Sequence, residues 1–84
     1  MKTHTKRVMG IHYDAHSQWM YSVGEDGRFK VTDMKTRSVL YNQAPGKVGL
    51  KYMIYDKQRA IFIVADGDGF IYIYNAIIVF TPFL

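Results

Sequence analysis

The sequence of 84 residues contains no cysteine. Disulfide bonds, thiolate chemistry and cysteine-based zinc sites are therefore excluded, and a cytoplasmic location is expected. No apolar run reaches the about 20 residues that a membrane-spanning helix needs, since the run AIIVFTPFL at 76–84 has only nine. The first residues, MKTHTKRV, lack the apolar stretch of a signal peptide. Direct insertion into a membrane is therefore not expected.

Helical periodicity is also missing, and short apolar runs separated by turns take its place. Runs that alternate, or that are rich in β-branched and aromatic residues, predict strands. Each of two runs is followed by a tight turn, EDG in the first case and GDG in the second, and Asp-Gly between apolar runs is typical of a hairpin. The predicted strands are 9–14, 19–23, 28–32, 38–43, 50–56, 60–65 and 70–74.

The chain repeats itself with an offset of 42 residues. Segment 8–33 aligns without a gap on 50–75, and Asp14 then falls on Asp56. Four strands in a unit of about forty residues are typical of a propeller blade. The sequence therefore predicts an all-β fold with about two four-stranded antiparallel blades, an incomplete propeller.

Three segments follow from this repeat. The first unit covers 4–43, and the second covers 46–76 with an atypical fourth strand. The tail at 77–84 departs from the repeat, because it lacks the polar turn expected after YNA. We expect the chain to be a fragment of a longer repeat protein.

The segments HTKRVMGI and SVGEDGRFKVTD resemble parts of a WD repeat. The resemblance implies a buried hydrogen-bonded network in which His4, Ser22 and Asp26 take three of the family's positions. Thr32 stands where the family has its tryptophan, and Asp33 follows it as the family's Asp does. The resemblance also implies a β-propeller that presents loops to other proteins.

The second unit departs further from the family pattern. Gly46 takes the place of the histidine, Val64 that of the serine, and Tyr74-Asn75 that of the Trp-Asp pair. We therefore expect this unit to depend on packing more than on the network.

The two units are also similar to adjacent blades of the WD-repeat and FYVE-domain proteins, with Trp19 on the second strand and Phe29 after the turn. That resemblance implies an endosomal phosphoinositide effector as an alternative function and endosomal association as an alternative location. The zinc-binding FYVE module is missing, because no cysteine is present to build it.

Other patterns suggest chemistry only weakly. DGDG at 66–69 lacks most ligands of a calcium loop, and a hairpin turn is the better interpretation. His12 and His16 have a helical metal-ligand spacing, but they fall on a strand and a turn. Ser22, His4 and Asp26 could form a catalytic triad, yet the family resemblance makes them structural and buried. We predict no enzyme activity, no metal and no cofactor.

The net charge is +4, and the basic residues are spread along the chain. Together with the 15% of aromatic residues, this charge leaves a nucleic-acid-binding β module as a further alternative. Without a dense basic cluster, no nucleic-acid partner is expected.

The sequence therefore predicts a non-catalytic scaffold for protein–protein interaction, with loops 15–18 and 33–37 as contact segments. Alone, the chain is expected to self-associate through exposed strand edges and blade faces.

Overall fold

The structure, a computed structural model, describes residues 1–76. This part of the chain is all-β, as predicted, with seven antiparallel strands in two sheets. The first sheet has the order β1-β2-β3-β4 and the second has the order β5-β6-β7. The strands are β1 (Val8–Asp14), β2 (Trp19–Gly24), β3 (Phe29–Asp33), β4 (Ser38–Gln43), β5 (Leu50–Asp56), β6 (Ile61–Asp66) and β7 (Ile71–Asn75).

The strand boundaries differ from the predicted ones by one residue at several ends. Ala60, which was predicted as the first residue of a strand, ends the preceding turn with a φ of 54°. Because this left-handed conformation is incompatible with a strand, β6 begins at Ile61. The predicted fourth strand of the second unit and the predicted tail at 77–84 lie outside the described residues.

The two units share one strand register at the predicted offset. Val8 is opposite Gly24 in the first sheet, and Leu50 is opposite Asp66 in the second. A β-bulge follows this first pair in both units, before Gly10 and before Tyr52. The bulge bends each first strand at the same place, so the repeat extends to the irregularities of the backbone.

The two sheets pack against each other, and the faces in contact are not equivalent in the two repeat units. We call the face of the first sheet that contacts the second sheet the forward face, and the opposing face of the second sheet the rear face. The forward face of the first sheet carries Tyr21, Val23, Phe29 and Val31, all buried. The rear face of the second sheet carries Phe62, Val64 and Tyr74, also buried.

Stacked aromatic rings fill the space between the sheets. Tyr21 stacks on Phe62 with ring centroids 4.2 Å apart, and Phe29 stacks on Tyr74 at the same distance. Phe62 also lies 4.6 Å from the ring of Tyr55, centroid to centroid. Aromatic pairs add about 0.5–1.5 kcal/mol to the free energy gained by burying their area. This ring cluster is therefore the main apolar contact between the sheets.

We predict that Phe62→Ala lowers the free energy of unfolding by about 3–5 kcal/mol, because it removes a buried ring and leaves a cavity. Urea unfolding followed by circular dichroism measures this change. Phe70→Ala is the matched control, since Phe70 is 62% exposed, and its effect is expected to stay within about 0.5 kcal/mol. Equal losses in the two variants would contradict the assignment of Phe62 to the core.

Candidate functional site

Three turns of the same design connect the strands at one end of the sheets. They follow Asp14, Asp33 and Asp56, and each places four residues between two strands. In every turn the Oδ1 of the aspartate accepts a hydrogen bond from the backbone N–H two residues later, at 2.9–3.1 Å. In each of these Asx turns one oxygen of the aspartate carboxylate therefore binds the backbone.

The last residue of each turn has the same unusual backbone conformation. The φ angles are 61° at Gln18, 61° at Arg37 and 54° at Ala60. A left-handed residue that is not glycine is uncommon. The three residues differ in type, so the shared turn geometry and not the local sequence sets this conformation.

The turns of the two sheets lie beside each other. A cleft of about 270 Å³ opens between them. His12, Asp14 and Ala15 line it from the first sheet, and Tyr55 and Lys57 line it from the second. This juxtaposition brings the predicted contact segments 15–18 and 33–37 to the same end of the molecule as turn 57–60, which the sequence analysis did not single out.

Basic side chains dominate this end of the molecule. Lys35, Arg37, Lys57 and Arg59 are all exposed. The Arg59 guanidinium forms an ion pair with Asp56 at 2.7 Å and lowers the pKa of that carboxyl. Lys35, Arg37 and Lys57 have no ion pair within residues 1–76. The turn end, defined as turns 15–18, 34–37 and 57–60, therefore presents three exposed basic side chains that form no ion pair, beside the aspartates that precede the turns.

The residues predicted for a buried network lie on the opposite side of the first sheet, near its other end. His4 Nδ1 donates to the Asp26 carboxylate at 3.0 Å, and His4 Nε2 lies 2.8 Å from Ser22 Oγ. Since a carboxylate only accepts, the Nδ1–H faces Asp26, and Nε2 is left to form the hydrogen bond with the serine hydroxyl. The exposed fraction is 3% for His4 and 1% for Ser22.

Asp26 binds more than the histidine. Its carboxylate also accepts from the backbone N–H groups of Thr5 and Arg28, at 3.0 and 3.1 Å. Burial acts to raise the pKa of Asp26, but the hydrogen bonds from Arg28, His4 and Thr5 outweigh it and hold the pKa below the ordinary value of 3.8. The segment before β1 is thereby fixed to the turn between β2 and β3.

Gly24 makes room for this pair. A Cβ at Gly24 would lie 2.7 Å from His4 Nδ1 and 2.8 Å from Asp26 Oδ1, closer than real contacts allow. The hydrogen-bonded pair of side chains therefore requires a glycine at this position of the strand.

Two of the five predicted residues are not part of the hydrogen-bonded set. Thr32 is fully buried, but its Oγ1 has no hydrogen-bond partner among residues 1–76. Asp33 lies at the other end of β3, where it caps the turn through Lys35. Threonine is shorter than the tryptophan of the family pattern, and its hydroxyl does not reach the Ser22–His4 pair.

The second unit has a carboxylate network of its own, which the sequence analysis missed. Asp66 accepts from the N–H groups of Asp68 and Phe70 at 2.9 and 3.0 Å, and from the Tyr72 hydroxyl at 2.8 Å. Burial acts to raise the pKa of Asp66, but these hydrogen bonds lower it below 3.8. The second unit therefore has a hydrogen-bonded set of its own in addition to its packing.

In the second unit the carboxylate and the glycine occupy different positions of the repeat than they do in the first. Asp66 stands at the place of Gly24, and Gly46 stands at the place of His4. A Cβ at Gly46 would overlap the Tyr72 hydroxyl. The glycine therefore makes room for the tyrosine that binds Asp66. A signal was present in the sequence, since a glycine replaces the histidine just where an aspartate replaces a glycine.

The connectivity of Ser22, His4 and Asp26 equals that of a catalytic triad. A triad acts only where the serine oxygen can reach a carbonyl carbon beside an oxyanion hole. Because Ser22 is almost fully buried, its hydroxyl is closed to a substrate in this structure. The hydrogen bonds join the N-terminal segment to the sheet and do not face the cleft.

The two histidines with ligand-like spacing do not converge on one point. The His12 ring packs 4.5 Å from the ring of Tyr55, centroid to centroid, while His16 is exposed in its turn. Within residues 1–76 no group of three or more His, Asp or Glu side chains is placed to hold a metal ion. In the same part of the chain, no helix has the length and apolar character to cross a membrane.

Comparison with known proteins gives no relative for this chain. No protein-family model matches it, and neither a curated protein nor a solved structure is similar to it.

We predict that Asp26→Asn lowers the free energy of unfolding by about 1–3 kcal/mol at neutral pH, since it removes a charged acceptor from the buried His4 ring and from two backbone N–H groups. The folded pKa lies below the unfolded value of 3.8, so the wild-type advantage is complete above that pH. It declines as the pH falls through the lower folded pKa. Urea unfolding at pH 7 and at pH 2 measures both effects.

The control for this experiment is Asp68→Asn. Asp68 holds the equivalent position in the second unit and is exposed, so its replacement is expected to change stability by less than about 0.5 kcal/mol. An Asp26→Asn loss that stays the same at pH 2 would contradict the role of the ionised carboxylate.

A double-mutant cycle tests the exchange of positions in the second unit. We predict that Gly46→Ala lowers the thermal midpoint, because the new methyl group displaces the Tyr72 hydroxyl from Asp66. In Tyr72→Phe the nearest remaining ring carbon lies 3.4 Å from the new methyl. Gly46→Ala should then have little further effect. Additive losses of the two substitutions would exclude the proposed overlap.

Proposed function

We propose that this chain is a non-catalytic protein-interaction platform of two WD-repeat-like units, acting in the cytoplasm, and that its turn end contacts the partner. The observation that carries this proposal is the threefold occurrence of one Asx-capped turn at a single end of the sheets. Such turns present exposed side chains from a rigid scaffold, which is the usual arrangement of a binding surface.

The WD-like part of the proposal is supported by two features of the first unit. Its four antiparallel strands recur as three strands in the second unit at an offset of 42 residues. His4, Ser22 and Asp26 form the hydrogen bonds that the family resemblance implies for these positions. The second unit keeps the register but uses a different carboxylate.

The charge of the turn end indicates the kind of partner. The turn aspartates accept from backbone N–H groups, and the exposed tips present Lys35, Arg37 and Lys57 without an ion pair to any carboxylate of residues 1–76. Charge complementarity favours an acidic segment of another protein. The partly exposed rings that line the cleft, His12 and Tyr55, add a site for an apolar side chain of that segment.

A titration with an acidic probe tests this proposal. The probe is a synthetic peptide of alternating Glu and Ser residues with one central Leu, added to isotope-labelled protein and followed by NMR. We expect amide shifts in turns 15–18, 34–37 and 57–60. The triple variant Lys35→Glu/Arg37→Glu/Lys57→Glu should bind at least about tenfold more weakly, because it reverses the charge of the surface.

The matched control reverses three exposed lysines outside the turn end, Lys2, Lys6 and Lys47. It has the same net charge as the triple variant and should keep most of the binding. Equal weakening in both variants would show a response to net charge alone. Tighter binding of single-stranded polyuridine than of the peptide would instead favour the nucleic-acid alternative.

A further inference from the structure

The forward face of the second sheet is exposed although its counterpart in the first sheet is buried. At the offset of 42 residues, Phe29 and Val31 correspond to Ile71 and Ile73. The first two are 0% exposed, because the second sheet covers them, whereas Ile71 is 59% and Ile73 is 66% exposed. Ile54 belongs to the same exposed face and is 63% exposed. The open forward face is defined as Ile54, Ile63, Ile71 and Ile73.

The rear face of the first sheet is exposed in part, since Ser22 and Thr32 on this face are buried whereas the apolar residues beside them are open. Ile11 and Tyr13 correspond to Met53 and Tyr55, which pack against the core between the sheets. Ile11 is 65% and Tyr13 is 52% exposed. The open rear face is defined as Ile11, Tyr13, Met20 and Val39. The molecule therefore presents one open face of each kind, on opposite sides.

We propose that the open forward face of one copy of this chain binds the open rear face of a second copy, head to tail. The contact would continue the interface already present between the two sheets. The repeat gives the facing pairs. Tyr21 packs on Phe62 within the chain, and the equivalent pair between copies is Ile63 and Met20. His12 packs on Tyr55 within the chain, and the equivalent pair is Ile54 and Tyr13. Aliphatic and aromatic side chains thus face each other at both places. Lys30 lies on the same face of the first sheet as Met20, and its ammonium binds the backbone carbonyl of Thr3.

One side chain limits how closely the copies approach. In the existing interface Gly10 lies against Met53, and a Cβ at Gly10 would be 3.5 Å from the Met53 Cβ. The corresponding residues between copies are Tyr52 and Ile11. The tyrosine ring occupies space that the glycine leaves open, so we expect this contact to be weaker than the one within the chain.

A heterologous contact joins two different faces and therefore leaves one binding face free on each of the two copies. Each copy in a head-to-tail pair still has one open face, so the contact continues into a ring or an open chain of copies. An isologous contact between two forward faces would stop at a dimer. This difference gives the experiment its design.

Two single substitutions on the 84-residue chain separate these arrangements. Ile73→Lys blocks the forward face and Ile11→Lys blocks the rear face, both at positions that are about two-thirds exposed. Sedimentation velocity should show that wild type forms species larger than a dimer as its concentration rises. Each variant alone should be monomeric, and an equimolar mixture should form a one-to-one dimer through the two intact faces.

Gln58→Lys is the charge-matched control, since Gln58 is exposed in a turn away from both faces, and it should associate as wild type does. Circular dichroism checks the fold of each variant. If a lysine variant is unfolded, Ile73→Thr and Ile11→Thr replace the pair and should weaken association in the same pattern.

Tyr52→Ala distinguishes repeat-like packing from general apolar adhesion. Removing the ring should leave association unchanged or strengthen it, because a methyl group at the Gly10 position makes only ordinary contacts. A loss of tenfold or more in association would overturn the proposal.

Other results also overturn the proposal. A dimer of Ile11→Lys alone would show that forward faces bind each other. A mixture that stays monomeric would exclude the head-to-tail contact. A wild-type chain that is monomeric at all concentrations would assign the open face to another occupant, such as residues 77–84 or a different protein.

Discussion

Face-to-face packing of the two sheets is the contact on which the rest of the structure depends. Each sheet alone would leave its aromatic face in water, and isolated small sheets are marginally stable. The rings of Phe29 and Tyr74, stacked 4.2 Å apart, join the outer parts of the sheets, while Tyr21 and Phe62 join their centres. The turn end exists as one surface only because this contact holds the turns of both sheets side by side.

Both units place a carboxylate at the second hairpin turn, but they supply it from different positions. Both need an anionic acceptor for the backbone N–H groups of the second hairpin turn. The first unit supplies Asp26 from the turn itself and braces it with His4, while the second supplies Asp66 from the end of the strand and braces it with Tyr72. A glycine opposite each carboxylate provides the space. The same backbone therefore accepts either arrangement, provided that the glycine and the bulky partner change together.

Most of the fold could be predicted from the sequence, because alternation, Asp-Gly turns and the repeat act over short distances. The strand at 38–43 followed from such local patterns. The hydrogen-bonded set of His4, Ser22 and Asp26 was instead implied by the resemblance to a WD repeat. The aligned positions show only that Asp66 and Gly46 replace Gly24 and His4. They do not identify the donor to Asp66, which is a tyrosine on another strand. The cleft depends on how two sheets meet, which no local pattern encodes.

Every strand pair in the described residues joins neighbours in sequence, and this has a consequence for folding kinetics. Hairpins with short turns close within microseconds, and little chain entropy is lost in forming each of them. The contacts between the sheets span longer stretches of chain and include the buried rings. Docking of the two sheets, whose contacts are more distant in sequence, is then expected to follow the formation of the hairpins.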